Sequence, residues 1–98
     1  IQEQHLKLVE AKSPRKVSPF FVPSSIINMI SGHLSIQHGL RGPNLAVVTA
    51  CTTSTHSIGL AARALQHGDA DAMIAGGAEM AINPLALAGF VQARALSE

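Results

Sequence analysis

The chain has 98 residues, of which 47% are hydrophobic and 13% are charged, and its net charge is +1. This near-neutral composition offers no basic surface for nucleic acid or for an anionic membrane, so neither is expected as a partner. No apolar run reaches the roughly 18 residues of a membrane helix, because glycine and polar residues interrupt the most hydrophobic region.

The cysteine content is also informative, because Cys51 is the only cysteine. A single cysteine cannot form an internal disulfide, and neither it nor the spacing of the five histidines is typical of a metal site. We therefore expect no metal, no cofactor and a reducing, cytoplasmic location. The chain begins at Ile1, without an initiating methionine and inside a predicted helix, so we expect the complete protein to be longer.

The first predicted elements are a helix over 2–11, with apolar residues among polar ones, and a loop over 12–23. Three prolines in that loop argue against regular structure. The loop also contains Phe20-Phe21-Val22, a large apolar cluster. Two interpretations remain open: the cluster is exposed at an interface or a pocket, or the loop folds back and buries it.

A second helix is predicted from an N-cap at Ser24 or Ser25 to a stop at Gly39. Its apolar residues recur at four-residue spacing, which is typical of a helix that buries one face. The recurring residues are Ile26, Ile30 and Leu34.

The central part of the chain predicts a strand–helix–strand unit over 45–77. Leu45 to Thr49 and Ala72 to Ala75 are short apolar runs typical of buried parallel strands, and the helix between them runs from Thr52 to His67. The crossover should be right-handed. Gly76-Gly77 follows without a phosphate-loop spacing, so we expect a sharp bend with close packing there. Asn83-Pro84 then predicts the start of a final apolar helix.

Cys51 lies where the first strand passes into the helix, and Thr52, Thr53 and Ser54 beside it are N-cap residues. Free N–H groups and the helix dipole favour a thiolate and supply donors for an oxyanion, which indicates a nucleophile. The alternative is a small buried hydrophobic residue. His56 lies about 140° further around the helix, which favours a packing or hydrogen-bonding role over a catalytic base.

Three segments resemble a known family: S-P-F-F-V-P-S-S-I-I-N-M-I-S-G-H over 18–33, T-A-C-T-T-S-T-H-S-I-G-L-A-A-R over 49–63, and G-D-A-D-A-M-I-A-G-G-A-E over 68–79. They are similar to the elongating, type II β-ketoacyl-acyl carrier protein synthases of bacterial fatty acid synthesis. The resemblance implies an α/β, thiolase-like fold with αβαβα layers. Residues 1–98 would then be an incomplete N-terminal domain from the first half of that fold.

The resemblance also implies a mechanism and partners. Cys51 would accept an acyl chain from acyl carrier protein, and decarboxylation of malonyl-acyl carrier protein, promoted by two histidines later in the sequence, would extend that chain. Phe90 would line the acyl pocket, and Phe21 would reach the pocket of the other subunit of a homodimer. The strand from Leu45 to Thr49 would pair with its symmetry mate.

Alternative functions remain open within and outside this family. A polyketide ketosynthase domain or a thiolase would share the fold, although the residues around Cys51 look less like the polyketide pattern. Outside enzymes, the chain could be a catalytically inert dimerisation module, since its apolar composition predicts exposed apolar surface in isolation.

Overall fold

The computed structural model describes residues 1–97 and consists of helices joined by extended segments. Over this range no residue is part of a β-strand. Two of the helices are single 3₁₀ turns, at Pro14–Lys16 and Ala50–Thr52. The α-helices are α1 (Gln2–Ala11), α2 (Phe21–Ser25), α3 (Met29–His38), α4 (Thr53–His67) and α5 (Pro84–Gln92).

Helices α1, α4 and α5 form where the sequence predicts them. The α4 helix ends at Gly68, whose φ of 78° is the left-handed conformation expected of a helix stop. At the start of α5, the Asn83 side chain accepts a hydrogen bond from the Ala86 N–H, and Pro84 takes the first helical position. Local capping chemistry therefore sets these helix ends.

The second predicted helix is divided, so its predicted N-cap at Ser24 or Ser25 is wrong. Residues 21–25 form α2, and Ile26 then adopts an extended conformation with φ −72° and ψ 132°. The α3 helix begins only at Met29 and ends, as predicted, at Gly39. Pro23 stands in the first turn of α2, where its missing N–H costs no intrahelical hydrogen bond, so the loop predicted over 12–23 is partly helical.

The predicted strands over 45–49 and 72–75 do not form within the described residues. A strand that is apolar on both faces needs neighbouring strands for its N–H and C=O groups and packed layers above and below. Neither is present, because Ala61 is the only buried apolar residue over 1–97. The layered α/β arrangement is thus not found in these residues.

The dimensions of the chain agree with this open arrangement. Its radius of gyration is 17.6 Å and its extents are 51 × 41 × 16 Å. A compact domain of this length would have a radius of gyration of about 13 Å. The helices therefore expose their apolar faces.

No helix in the described range has both the length and the hydropathy to cross a bilayer.

Candidate functional site

Cys51 is exposed and lies in the middle of the 3₁₀ turn Ala50–Thr52, two residues before the first residue of α4. The helical half of the predicted strand–helix junction is present, whereas the strand half is not. Ala50, the first residue of this turn, has a φ of 54°, which is unusual for a residue with a side chain. Cys51 is thus displayed on a sharp turn at a helix N-terminus.

The side chains of Thr52 and Thr53 hold this turn by hydrogen bonds to the backbone of Thr49 and Ala50, and we call Thr49, Thr52 and Thr53 the threonine clamp. Thr53 Oγ1 accepts a hydrogen bond of 2.9 Å from the Thr49 N–H and donates one of 2.7 Å to the Ala50 carbonyl. Thr52 Oγ1 donates to the Thr49 carbonyl at 2.7 Å. Short hydroxyl side chains satisfy backbone groups locally in this way where regular structure does not.

The clamp differs from the predicted N-cap chemistry. Thr52 occupies the N-cap position of α4, but its side chain makes no capping hydrogen bond to the helix. Its hydroxyl turns back to Thr49 instead. The N–H groups in the first turn of α4 are therefore left without this side-chain acceptor, and they can donate to an anion beside Cys51.

His56 belongs to the same hydrogen-bond network. Its Nδ1 lies 2.7 Å from Thr49 Oγ1, and which atom donates depends on the histidine tautomer. The predicted hydrogen-bonding role of His56 is confirmed. Because Nδ1 is already engaged with Thr49, the ring is oriented toward the clamp, and it supports the turn that carries Cys51.

An open groove runs beside the clamp, between the 47–49 segment and α4, with a volume of about 630 Å³. Most of its lining atoms are carbon, and Arg63 is its only charged lining residue. Cys51 does not line it. The lining residues are Val47, Thr49, Thr55, His56, Gly59, Leu60 and Arg63.

The structure does not bring Phe21 and Phe90 to this groove. Phe21 starts α2 and is half-buried, and Phe90 lies near the end of α5 with 49% of its surface exposed. Phe20 and Val22, on either side of Phe21, are 73% and 58% exposed. Phe20 and Val22 are thus exposed and are not buried by the loop folding back, while an interface or pocket role of the cluster stays a prediction.

One close contact at the site joins Ser54 to Gly77. A Cβ built on Gly77 would overlap Ser54 Oγ and would lie 3.4 Å from Ser54 Cβ. The sequence predicts close packing at Gly76-Gly77 but not its partner, because nothing in the pattern relates position 77 to position 54.

The described residues contain no group of three or more His, Cys, Asp or Glu side chains placed to hold a metal ion. The groups present at the turn of Cys51 are a thiol, threonine hydroxyls, an imidazole and backbone amides.

Comparison with known proteins identifies the family. The family model described as "Beta-ketoacyl synthase, N-terminal domain" matches residues 1–98. The chain belongs to the β-ketoacyl synthase family. Membership implies the thiolase-like fold at the level of the family, although the described residues form none of its strands.

Relatives of this β-ketoacyl synthase chain carry a more specific name. It is 65% identical over 97 residues to a 3-oxoacyl-[acyl-carrier-protein] synthase 2 of Vibrio cholerae, covering 99% of the chain and 23% of that protein. It is 57% identical to the synthase 2 of Coxiella burnetii, with 97% and 23% covered. A mitochondrial 3-oxoacyl-[acyl-carrier-protein] synthase of Arabidopsis thaliana is 54% identical, with 93% and 20% covered. The chain thus spans less than a quarter of the length of these relatives.

Proposed function

We propose that the chain is the nucleophile-bearing part of a 3-oxoacyl-acyl carrier protein synthase, an acyltransferase of fatty acid elongation. The observation that carries the proposal is the position of Cys51, exposed on a clamped turn at the N-terminus of α4. The names of the relatives support the substrate class.

The first step is acyl transfer to the cysteine. The Cys51 thiolate attacks the thioester carbonyl of acyl-acyl carrier protein, a new C–S bond forms, and the carrier-protein thiol leaves with a proton. The negative charge that develops on the carbonyl oxygen is stabilised by backbone N–H groups at the start of α4. The threonine clamp keeps the turn in one conformation, so these donors need little reorganisation.

The second step forms the new carbon–carbon bond. Malonyl-acyl carrier protein loses carbon dioxide, and the carbanion equivalent that results attacks the thioester carbonyl on Cys51. The C–S bond breaks, the thiolate is regenerated, and the product is a 3-oxoacyl chain two carbons longer on the carrier protein. The two histidines that promote this step in the family lie outside these residues.

The proposal extends to the remaining predicted residues and partners. Phe90 contributes to the acyl pocket, Phe21 reaches the pocket of the partner subunit in a homodimer, and acyl carrier protein delivers both substrates in the cytoplasm. Residues 1–98 belong to the N-terminal domain, in which 45–77 completes its βαβ unit against other strands of the layered fold. The exposure of Leu45 and Val48, 66% and 69%, supports a segment that packs against further structure.

The experiment uses the full-length protein that carries this chain. It is incubated with acyl-acyl carrier protein, and the adduct is located by intact-protein and peptide mass spectrometry. We expect one acyl group on Cys51 and no acylation of Cys51→Ala. Labelling at another residue, or persistent labelling of Cys51→Ala, rejects the proposal. Acylation from coenzyme A thioesters, with condensation that needs no decarboxylation, would instead identify a thiolase.

A second candidate is a catalytically inert dimerisation module. The observation in its favour is the large exposed apolar surface, with Ala61 as the only buried apolar residue of the described chain. It predicts that Cys51 in the full-length protein reacts with iodoacetamide at neutral pH no faster than free cysteine does. It also predicts dimers in analytical ultracentrifugation without condensing activity. Faster alkylation of Cys51 favours the synthase.

A further inference from the structure

The contact between Ser54 and Gly77 joins two segments that are far apart in sequence. Ser54 is the second residue of α4, and Gly77 lies on the irregular segment that follows α4. A Cβ on Gly77 would overlap Ser54 Oγ and would approach Ser54 Cβ to 3.4 Å and Ser54 Cα to 3.6 Å. The backbone at Gly77 therefore packs directly against the first turn of α4.

Space, and not backbone conformation, explains why position 77 is glycine. The glycines with positive φ in the described chain are Gly39 and Gly68, so Gly77 adopts a backbone conformation open to any residue. Its neighbour Gly76 has open space where a Cβ would be, because no atom lies within 4 Å. The two adjacent glycines thus differ: a Cβ at position 77 would displace the Ser54 hydroxyl, whereas a Cβ at position 76 would meet no atom.

The contact reaches Cys51 through the threonine clamp. Ser54 follows Thr53, whose hydroxyl holds both the Thr49 N–H and the Ala50 carbonyl. Cys51 lies between Ala50 and Thr53 on the turn that these hydrogen bonds close. A shift of Ser54 away from Gly77 would therefore move Thr53 and loosen the turn on which the thiol is displayed.

We propose that Ser54 and Gly77 form a steric pair that positions the turn of Cys51. Gly77 is a positioning residue. Because it has no side chain, the 72–77 segment can pack against the first turn of α4, and this packing holds the threonine clamp in place. The inference rests on the proposed function of Cys51 as the acylated thiol. It adds a specific requirement, that the combined size of the side chains at positions 54 and 77 controls how fast this thiol reacts.

The test is a double-mutant cycle in the full-length protein, with Gly77→Ala, Ser54→Gly, the double variant and the matched control Gly76→Ala. The measured quantities are the single-turnover rate constant for acylation by acyl-acyl carrier protein, the concentration for half-saturation, and the pH profile of Cys51 alkylation by iodoacetamide. We expect Gly77→Ala to lower the acylation rate constant by roughly twofold to 150-fold, the fold-change that corresponds to the interaction energies of residues in contact. The concentration of acyl-acyl carrier protein at half-saturation should be the same in Gly77→Ala as in wild type.

The acylation rate constant of the double variant decides whether the contact between positions 54 and 77 positions the turn of Cys51. Ser54→Gly removes both side-chain atoms that a Cβ at position 77 would meet, so the double variant should recover the wild-type rate constant and pH profile. Gly76→Ala should behave as wild type. The inference is overturned if Gly77→Ala reacts as fast as Gly76→Ala, or if the double variant stays as slow as Gly77→Ala.

Two further measurements keep the inference separate from folding and from the proposed function. If Gly77→Ala is insoluble, the double variant with Ser54→Gly, which removes the overlapping Ser54 side chain, should be soluble again and acylated at the wild-type rate, and an insoluble double variant overturns the inference. If the wild-type protein is not acylated on Cys51, the proposed function fails. Alkylation of Cys51 by iodoacetamide then still tests the pair, because it needs no acyl substrate.

Discussion

Thr53 Oγ1 accepts a 2.9 Å hydrogen bond from the N–H of Thr49, four residues earlier, and so closes a loop around Cys51. The same oxygen donates to the Ala50 carbonyl at 2.7 Å. A single hydroxyl thus satisfies a backbone donor and a backbone acceptor on one side of the thiol. The reactive position is held by side-chain chemistry from the helix, without support from a sheet in the described residues.

Replacing Thr53 with valine tests this arrangement, because valine keeps the shape and removes the hydroxyl. Two hydrogen bonds are lost, each worth about 0.5–1.5 kcal/mol. We expect the acylation rate constant of Cys51 in the full-length protein to fall by roughly fivefold to 150-fold. Thr55→Val, two residues along α4, is the matched control and should stay within about twofold of wild type. Equal rates for the two variants would contradict the clamp.

Mutation of His56 can distinguish a general base from a hydrogen-bonding residue, because loss of the two roles would slow acylation by different amounts. Loss of one neutral hydrogen bond to Thr49 costs about 1 kcal/mol, whereas loss of a general base costs roughly 10²- to 10⁴-fold in rate. We expect His56→Ala to slow acylation by less than about tenfold and to leave the shape of the pH–rate profile unchanged. His67→Ala, at the far end of α4, is the control. A hundredfold loss would make His56 the base.

The parts of the fold that the sequence could predict are those set by local chemistry. The ends of α4 and α5 follow from Gly68 and from the Asn83-Pro84 cap, which act within a few residues of themselves. The break between α2 and α3 was not predictable from spacing. The four-residue repeat that begins at Ile26 runs through that break, and periodicity does not register a change of backbone conformation within it.

The strands and the details of the site depend on interactions that a pattern does not contain. The apolar run from Leu45 to Thr49 specifies a strand only when neighbouring strands are present to pair with it. At the site, the position of Cys51 before a helix was predictable, whereas the left-handed φ of Ala50 was not. Thr52, Thr53 and Ser54 indicated capping, but the direction in which the two threonine hydroxyls turn depends on the conformation of that turn.

The left-handed conformation of Ala50 gives a third prediction. For a residue with a Cβ, this conformation costs about 1–2 kcal/mol, and glycine avoids the cost. Glycine also adds entropy to the unfolded chain, worth about 0.4–1 kcal/mol, so Ala50→Gly should raise the free energy of unfolding by about 0–1.5 kcal/mol. Ala50→Val should lower it by more than about 1 kcal/mol, because β-branched residues are outliers at positive φ.

Urea unfolding of the full-length protein measures this difference, together with the rate of Cys51 alkylation. Ala62→Val, at an exposed position within α4, controls for the ordinary helix cost of valine, about 0.5 kcal/mol. A loss in Ala50→Val no larger than in Ala62→Val would show that the turn does not need its left-handed residue.

The N-cap of α5 gives a fourth prediction. Asn83 Oδ1 accepts the Ala86 N–H at 3.0 Å, and removing a cap of this kind costs about 1 kcal/mol. We expect Asn83→Ala to speed amide hydrogen exchange in the first turn of α5 by roughly fivefold, while Asn83→Asp, which keeps an acceptor, should not. Exchange is measured by mass spectrometry on the full-length protein. Unchanged protection in Asn83→Ala would contradict the cap.

The last prediction concerns pH and the exposed pair on α1. Lys7 Nζ lies 2.6 Å from Glu3 Oε1, and the hydrogen bond from Lys7, followed by its charge, lowers the pKa of Glu3 below the ordinary 4.5. Because the pKa of Glu3 is lower in the folded protein, the ion pair stabilises α1 at pH values above the ordinary pKa of glutamate. That contribution is lost as pH falls through the lowered value.

Selective ¹³C labelling of glutamate in the full-length protein gives the Glu3 titration directly. We expect Lys7→Met to return the pKa of Glu3 toward its ordinary value, and 0.5 M salt, a concentration at which exposed charges are largely screened, to reduce the shift. Lys12→Met, just beyond the end of α1, should leave the Glu3 titration unchanged because Lys12 makes no ion pair with Glu3. An identical Glu3 titration in Lys7→Met and wild type would show that the ion pair does not persist in solution.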